Sequence, residues 1–254
     1  QTCQTYQTGQ TKRCGFLRDW NVWQFGTFGK FPLMISSLLL GSSGLVGGHL
    51  LRLLLSSDRY GEVRTLVRKP MGIVHVKLRE SVVDFDHLED AADKVTADDV
   101  FCCLGSTTSS ASSKEEFRKV DYTYVVEAAS LSLGNGASRF FLVSAIGANP
   151  RSPFFYTRVK GEVERTIAQF PFQVACIFRP SVISGERKNR RLREQIGVAG
   201  LRALSVALVG PAKKFRLITA EDVASAMLFA AESNVTGVRI FESDEIQKMA
   251  ALAS

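Results

Sequence analysis

From Met34 onward, short apolar runs alternate with longer amphipathic stretches. Ile35–Leu40 is a short, largely apolar run that stops at Gly41, which suits a buried parallel strand. Leu45–Leu55 then places leucines at helical spacing. Glu62–Val67, Val74–Val83 and Asp99–Leu104 predict a second, third and fourth strand, the third ending at Asp84. Phe117–Leu133 predicts a long helix with Val120, Tyr124, Ala128 and Leu131 on one stripe. Phe140–Val143 predicts a fifth strand, Phe154–Phe170 a helix and Val174–Phe178 a sixth strand. Glu221–Glu232 closes the pattern as a helix with Thr219 at its N-cap. This alternation predicts βαβ units in an α/β Rossmann fold, a doubly wound parallel sheet with helices on both faces. A ligand of such a sheet belongs outside the carboxyl ends of its strands.

Two stretches break the pattern. Residues 1–33 open with a Gln-Thr repeat of period three and continue into a glycine- and aromatic-rich run. They read as a disordered or non-native extension, lacking the apolar core of a secretory signal. Residues 34–254 then form a single domain. Within it, residues 186–220 read as a small C-terminal substrate lobe, with a basic helix, a small-apolar stretch and Gly210-Pro211.

Charge sharpens this picture only locally. The formal net charge is +7. Nine basic residues lie between Glu186 and Arg216, opposed by Glu186 and Glu194 alone. That segment suits a solvated face or a site for an anionic substrate. Nucleic acid is disfavoured, because only Phe215 interleaves the charges. Five cysteines without regular spacing, with Cys102 and Cys103 adjacent in an apolar run, indicate a reducing compartment and a cytoplasmic protein. His49, His75 and His87 have no partners at metal-ligand spacing, so no metal is expected. No apolar run approaches the length of a membrane span. Either a monomer or a homodimer is compatible with the sequence.

The loop Gly41-Ser42-Ser43-Gly44-Leu45-Val46-Gly47 follows a strand and opens a helix. Glycines there allow a tight turn, close backbone approach to a diphosphate, and close helix–sheet packing. The helix N-terminus offers N–H groups to the phosphates. An NAD(H) site ordinarily carries a carboxylate at the end of the second strand. Here that strand ends in Arg68-Lys69, which favours the 2′-phosphate of NADP(H) over NAD(H). Asp84 and Phe85 are expected at the adenine pocket, and Leu104, Gly105 and Ser106 beside the cofactor ribose.

Ser144 ends the fifth strand, and Tyr156 and Lys160 follow at helical i, i+4 spacing. A lysine ammonium beside a phenol stabilises the phenolate. The serine hydroxyl can hold a substrate carbonyl oxygen, and the set can support proton exchange during hydride transfer. The alternative is a packing tyrosine and a solvated lysine.

Taken in this order, the residues resemble the short-chain dehydrogenase/reductase superfamily in its atypical branch, over Met34 to about Glu242. Stretches 44–52, 101–105, 120–123 and 152–162 are similar to NAD(P)-binding oxidoreductases of the Tat-interactive protein type and their bacterial relatives. The resemblance implies NADPH at Gly41, Gly44, Gly47 and Arg68, and Ser144, Tyr156 and Lys160 as the superfamily triad. It also implies that Arg179-Pro180-Ser181 approaches the nicotinamide. Classical members carry an asparagine on the helix after strand four. Asp121 stands in a comparable region without being an equivalent residue, which leaves the lysine-to-solvent relay without a counterpart. The serine-rich loop Ser106–Ser113 reads as a mobile wall.

Three functions follow. The favoured one is an NADP(H)-dependent reductase acting on a carbonyl of a small molecule, anionic if the basic lobe meets it. The second is a non-catalytic NADP(H)-sensing scaffold that regulates a partner. The third is a nucleotide-sugar epimerase, which Arg68 disfavours.

Overall fold

The computed structural model describes residues 34–106, 113–184 and 216–253. The strands are β1 (Ile35–Leu40), β2 (Tyr60–Val67), β3 (Leu78–Val82), β4 (Asp99–Cys102), β5 (Arg139–Val143) and β6 (Val174–Arg179). Two short strands, β7 (Ile183–Ser184) and β8 (Ile218–Thr219), precede β9 (Gly237–Glu242). Seven strands form one sheet in the order β3-β2-β1-β4-β5-β6-β9. Every pairing in it is parallel. The strand order reverses beside β1, whose neighbours are β2 on one side and β4 on the other. A crevice at that switch point is where a doubly wound sheet receives its ligand.

The helices are α1 (Leu45–Ser56), α2 (Lys114–Arg118), α3 (Tyr124–Gly134), α4 (Phe155–Ile167), α5 (Ala220–Glu232) and α6 (Ser243–Ala253). They form because apolar side chains recur on one face and the sheet supplies the partner surface. The period of two along the strands splits the core cleanly. Leu39, Phe101, Phe141, Cys176 and Phe178 pack with α1 and α5 on one face. Leu38, Leu40, Phe140, Leu142 and Ile177 pack with α3 and α4 on the other. Each fully buried leucine or phenylalanine stabilises the fold by about 1.5–3 kcal/mol. Thr219 caps α5 as expected, in a capping box with Asp222.

Four features depart from the sequence pattern. The third strand begins only at Leu78, because Val74 and Val76 are exposed and the apolar character there belongs to a loop. A ten-residue 3-10 segment, Phe85–Lys94, kinked at His87 and Ala91, follows it. The long helix is interrupted by a π turn at Lys119–Thr123. The extra residue of that turn rotates the buried stripe, so Phe117, Asp121, Val125 and Ala128 face inward rather than Val120 and Tyr124. Finally, β9 and α6 extend the alternation beyond Glu232. Of the expected substrate lobe, residues 185–215 lie outside the described residues, as do the extension 1–33 and positions 107–112 of the serine-rich loop. Residues 218–220 belong to β8 and α5, not to a lobe, and β7 pairs in parallel with β8.

Candidate functional site

At the carboxyl ends of β1, β2 and β4, the chain leaves a cleft of about 810 Å³. The glycine loop forms its floor. Gly41 has φ +82°, and a Cβ there would lie 2.6 Å from the Cys103 carbonyl oxygen. A Cβ at Gly47 would lie 2.1 Å from the carbonyl oxygen of Gly41. Both positions therefore require glycine, and their bare backbone is the cradle a diphosphate needs. α1 carries no acidic residue in its first turn, which keeps its N-terminus open to anions.

Gly41, Ser42, Ser43, Gly44, Leu45, Arg68, Phe85, Leu104 and Gly105 all line this cleft. Val46 instead turns into the core. Asp84 is exposed and does not reach the cleft, because its carboxylate accepts the Asp86 N–H at 2.9 Å and caps the 3-10 segment. Lys69 is exposed outside it. Among the lining residues that had no part in the sequence reading of the site are two basic ones, His49 and Arg52, at i, i+3 spacing on α1. The spacing was the only available signal. Among the described residues, the lining contains no carboxylate at all.

Tyr156 and Lys160, one turn apart on α4, form a second group that does not line the cleft, and Ser144, which does not line it either, is tied to α4 through Glu164. The group adjoins the cleft through Gly105, whose Cβ position lies 3.5 Å from the Lys160 ammonium. Lys160 is buried and forms an ion pair with the fully buried Asp121 at 2.8 Å. The other Asp121 oxygen accepts the Ser106 N–H at 2.8 Å and its hydroxyl at 2.7 Å. Ser106 is thus an anchor for Asp121 rather than a wall of the cleft. The π turn is what aims Asp121 inward, so the residue expected to have no equivalent role is the lysine's direct partner. Burial works against the Lys160 ammonium, but the charges of Asp121 and Tyr156 outweigh it and hold its pKa above the ordinary value. Half-buried Tyr156 lies against Phe117, with ring centres 5.5 Å apart. Burial pushes the neighbouring Cys102 thiol up to about 12, which excludes a thiolate nucleophile at neutral pH.

Ser144 is buried, and its hydroxyl donates to a carboxylate oxygen of buried Glu164. Arg179 holds the same carboxylate at 2.6 and 3.0 Å and reaches Glu242 at 3.0 Å. Those hydrogen bonds and charges raise the Arg179 pKa. Arg179 therefore serves an internal network rather than the cleft. Pro180 accepts the Ile146 N–H at 2.9 Å, and Ser181 donates to the Arg216 carbonyl. None of these three lines the cleft. Glu164 and Glu242 were not visible as site residues in the sequence.

The family described as NAD(P)H-binding matches residues 41–171. The chain is 34% identical over 160 residues to Protein HTATIP2 of Rattus norvegicus, covering 61% of this chain and 66% of that protein. It is 35% identical over 162 residues to Protein FMP52-1, mitochondrial, of Scheffersomyces stipitis, covering 62% and 71%. The chain thus spans about two thirds of the length of these relatives. Among solved structures, MoeE5 in complex with UDP-glucose and NAD shares the fold with a TM-score of 0.62 at 18% identity, over 86% of this chain and 82% of that one. WbmH of Bordetella bronchiseptica in complex with NAD+ gives 0.61 at 16% identity, over 83% and 76%. Among the described residues no helix is long and apolar enough to cross a membrane. With its glycine cradle, switch-point cleft and these relatives, the chain belongs to the NAD(P)H-binding family.

Proposed function

We propose that the protein is an NADP(H)-dependent oxidoreductase that reduces a carbonyl on a small molecule. The observation that carries this is the cleft: among the described residues its lining has no carboxylate, and Arg68 stands at the end of β2 where an NAD site would hold an acid. An arginine there pairs with a 2′-phosphate through charge-assisted hydrogen bonds. The glycine loop and the first N–H groups of α1 receive the diphosphate.

The nicotinamide, when bound, supplies the hydride. The chain's own residues manage the oxygen of the substrate. Tyr156 is the proton donor, and Lys160, one helical turn away on α4, remains an ammonium beside it. Asp121 fixes that ammonium in place through the 2.8 Å pair. Ser144 directs its proton to Glu164, so its oxygen can accept from the product alcohol but does not donate to the carbonyl oxygen. The basic residues between 187 and 216 favour an anionic substrate. The reducing chemistry implied by Cys102, Cys103 and Cys176 as free thiols fits the cytoplasm.

Titration of the purified protein with NADPH and NADH, by thermal shift and nicotinamide fluorescence, tests this reading. NADPH is expected to bind roughly 10–100-fold more tightly, the worth of one or two charge-assisted contacts. Equal affinities would refute the 2′-phosphate contact.

A second reading has its own support. The Ser144 proton is committed to Glu164, so the serine has none left to offer a carbonyl oxygen. That favours a non-catalytic NADP(H) sensor. Turnover of any carbonyl substrate that depends on Tyr156 excludes it.

A further inference from the structure

α1 places a second arginine in the cofactor cleft. Its second and third turns present His49 and Arg52 to the same space that Arg68 enters from β2. We propose that Arg52, oriented by His49, is the second arm of a two-arginine clamp that selects the 2′-phosphate of the adenosine ribose. This rests on the NADP(H) reading above and deepens it.

The argument starts from position along the helix. Arg52 stands seven residues after Leu45, which at the α-helical rise is about 10 Å from the first turn. That is too far down the axis to serve a diphosphate seated at the helix N-terminus. Its charge must therefore answer a different anion. Leu51 and Leu55 of α1, Leu66 and Val67 of β2, and Ile73 beyond β2 share the cleft wall, so the cleft runs along α1 toward the end of β2. The ribose 2′ position of a nucleotide held by the glycine loop points into that region.

Charge accounting supports the same conclusion. Arg52 has no carboxylate partner among the described residues, and neither does Arg68. Two guanidinium groups in one acid-free cleft repel each other until an anion arrives. A phosphate dianion offers oxygens to both, in the forked geometry that guanidinium matches and ammonium does not. The one hydrogen bond shown for Arg52 runs to the His49 Nδ1 at 3.2 Å. A guanidinium has only donors, so in this contact the His49 Nδ1 is the acceptor. The imidazole thus limits the rotamers of an otherwise free arginine, which lowers the entropy cost of closing on a ligand. His49 is a positioning residue and Arg52 a specificity-determining one.

The experiment uses nucleotides without nicotinamide, titrated calorimetrically into the full chain: adenosine 2′,5′-bisphosphate against adenosine 5′-monophosphate. The wild-type protein is expected to prefer the bisphosphate. Arg52→Ala should reduce that preference about tenfold, the worth of one charge-assisted contact, while leaving the monophosphate affinity within about twofold. Arg52→Lys should recover only part of it, because the fork is lost. His49→Phe should weaken the bisphosphate modestly, and His49→Asn, which keeps an acceptor, should restore it. Three outcomes overturn the proposal. If the wild-type protein shows no preference, the NADP(H) reading itself fails. If Arg68→Ala abolishes the preference but Arg52→Ala leaves it intact, only the clamp fails. If Arg52→Ala weakens both nucleotides equally, the arginine contributes a general positive field and not a 2′ contact. Arg52 is exposed, so an unchanged melting temperature of the variant is the control for folding.

Discussion

The cofactor cleft and the Ser144–Tyr156–Lys160 cluster open at the same end of the sheet, yet their charges are spent in opposite ways. In the cleft, Arg52 and Arg68 face a space lined without any carboxylate. In the cluster, every charged or hydroxyl group but Tyr156 already has an internal partner: Lys160 has Asp121, Ser144 has Glu164, and Glu164 has Arg179. Among the described residues, the cleft carries positive charge and no carboxylate. The cluster is a neutralised, rigid set in which the position of each group is fixed before substrate arrives. Preorganisation of this kind favours catalysis only if the fixed geometry is the reactive one. The same geometry in a sensor would hold the cofactor and transmit its presence, with no chemistry.

The largest expected effect lies in the cluster. Asp121→Ala leaves the Lys160 ammonium buried without its counter-charge and should cost about 3–5 kcal/mol in urea unfolding. A loss below about 1 kcal/mol would show that water reaches the pair. The same pair carries a pH signature. Because the folded state raises the Lys160 pKa above its ordinary 10.5, the stabilisation is complete below that value and fades as pH rises through the higher folded one. Asp121→Asn should erase this alkaline loss by removing the charge that sustains the raised value, at a lower stability throughout.

Next in size is Tyr156→Phe. It should lower turnover of any carbonyl substrate by about 10²–10⁴-fold while sparing NADPH affinity. Retained turnover would move the proton-donor role elsewhere and bring the cluster closer to a scaffold. Glu164→Gln should cost about 2 kcal/mol, since it removes a buried charge that Arg179 relies on but keeps the hydrogen-bonding shape. In compensation it frees the Ser144 proton. A gain in carbonyl turnover with unchanged NADPH affinity would show that Glu164 restrains the serine; no change in turnover would mean that Ser144 acts only as an acceptor.

The smallest effect belongs to the cleft. Arg68→Ala should weaken NADPH by roughly 10-fold or more and NADH by less than twofold, with no change in melting temperature of the free protein. Equal weakening of both would remove the contrast between the two regions.

The two regions also differed in how far the sequence disclosed them. The glycine loop was legible because its chemistry is local: a strand, a turn and a helix within a dozen residues. Arg68 was legible for the same reason, as the terminus of a recognisable strand. Tyr156 and Lys160 were legible as an i, i+4 pair. Their carboxylates were not, because Asp121 lies 39 residues before Lys160 and Glu164 lies 20 after Ser144, so only tertiary packing joins them. Asp121 was further concealed by the π turn, which shifts the inward face by one residue and is invisible to a fixed helical period. Asp84 misled for a simple reason: an aspartate after a strand is as good an N-cap as a wall of an adenine pocket, and here it caps. The last strand escaped notice because β9 is an edge strand whose side chains from Gly237 to Ile240 are exposed, leaving no buried apolar run to read.

The most direct test of the account is the paired titration of the wild-type protein with NADPH and NADH at one ionic strength. The account predicts tighter NADPH binding by roughly 10–100-fold, with the difference shrinking as salt screens Arg52 and Arg68. Equal affinity for the two cofactors, or tighter NADH binding, would contradict it.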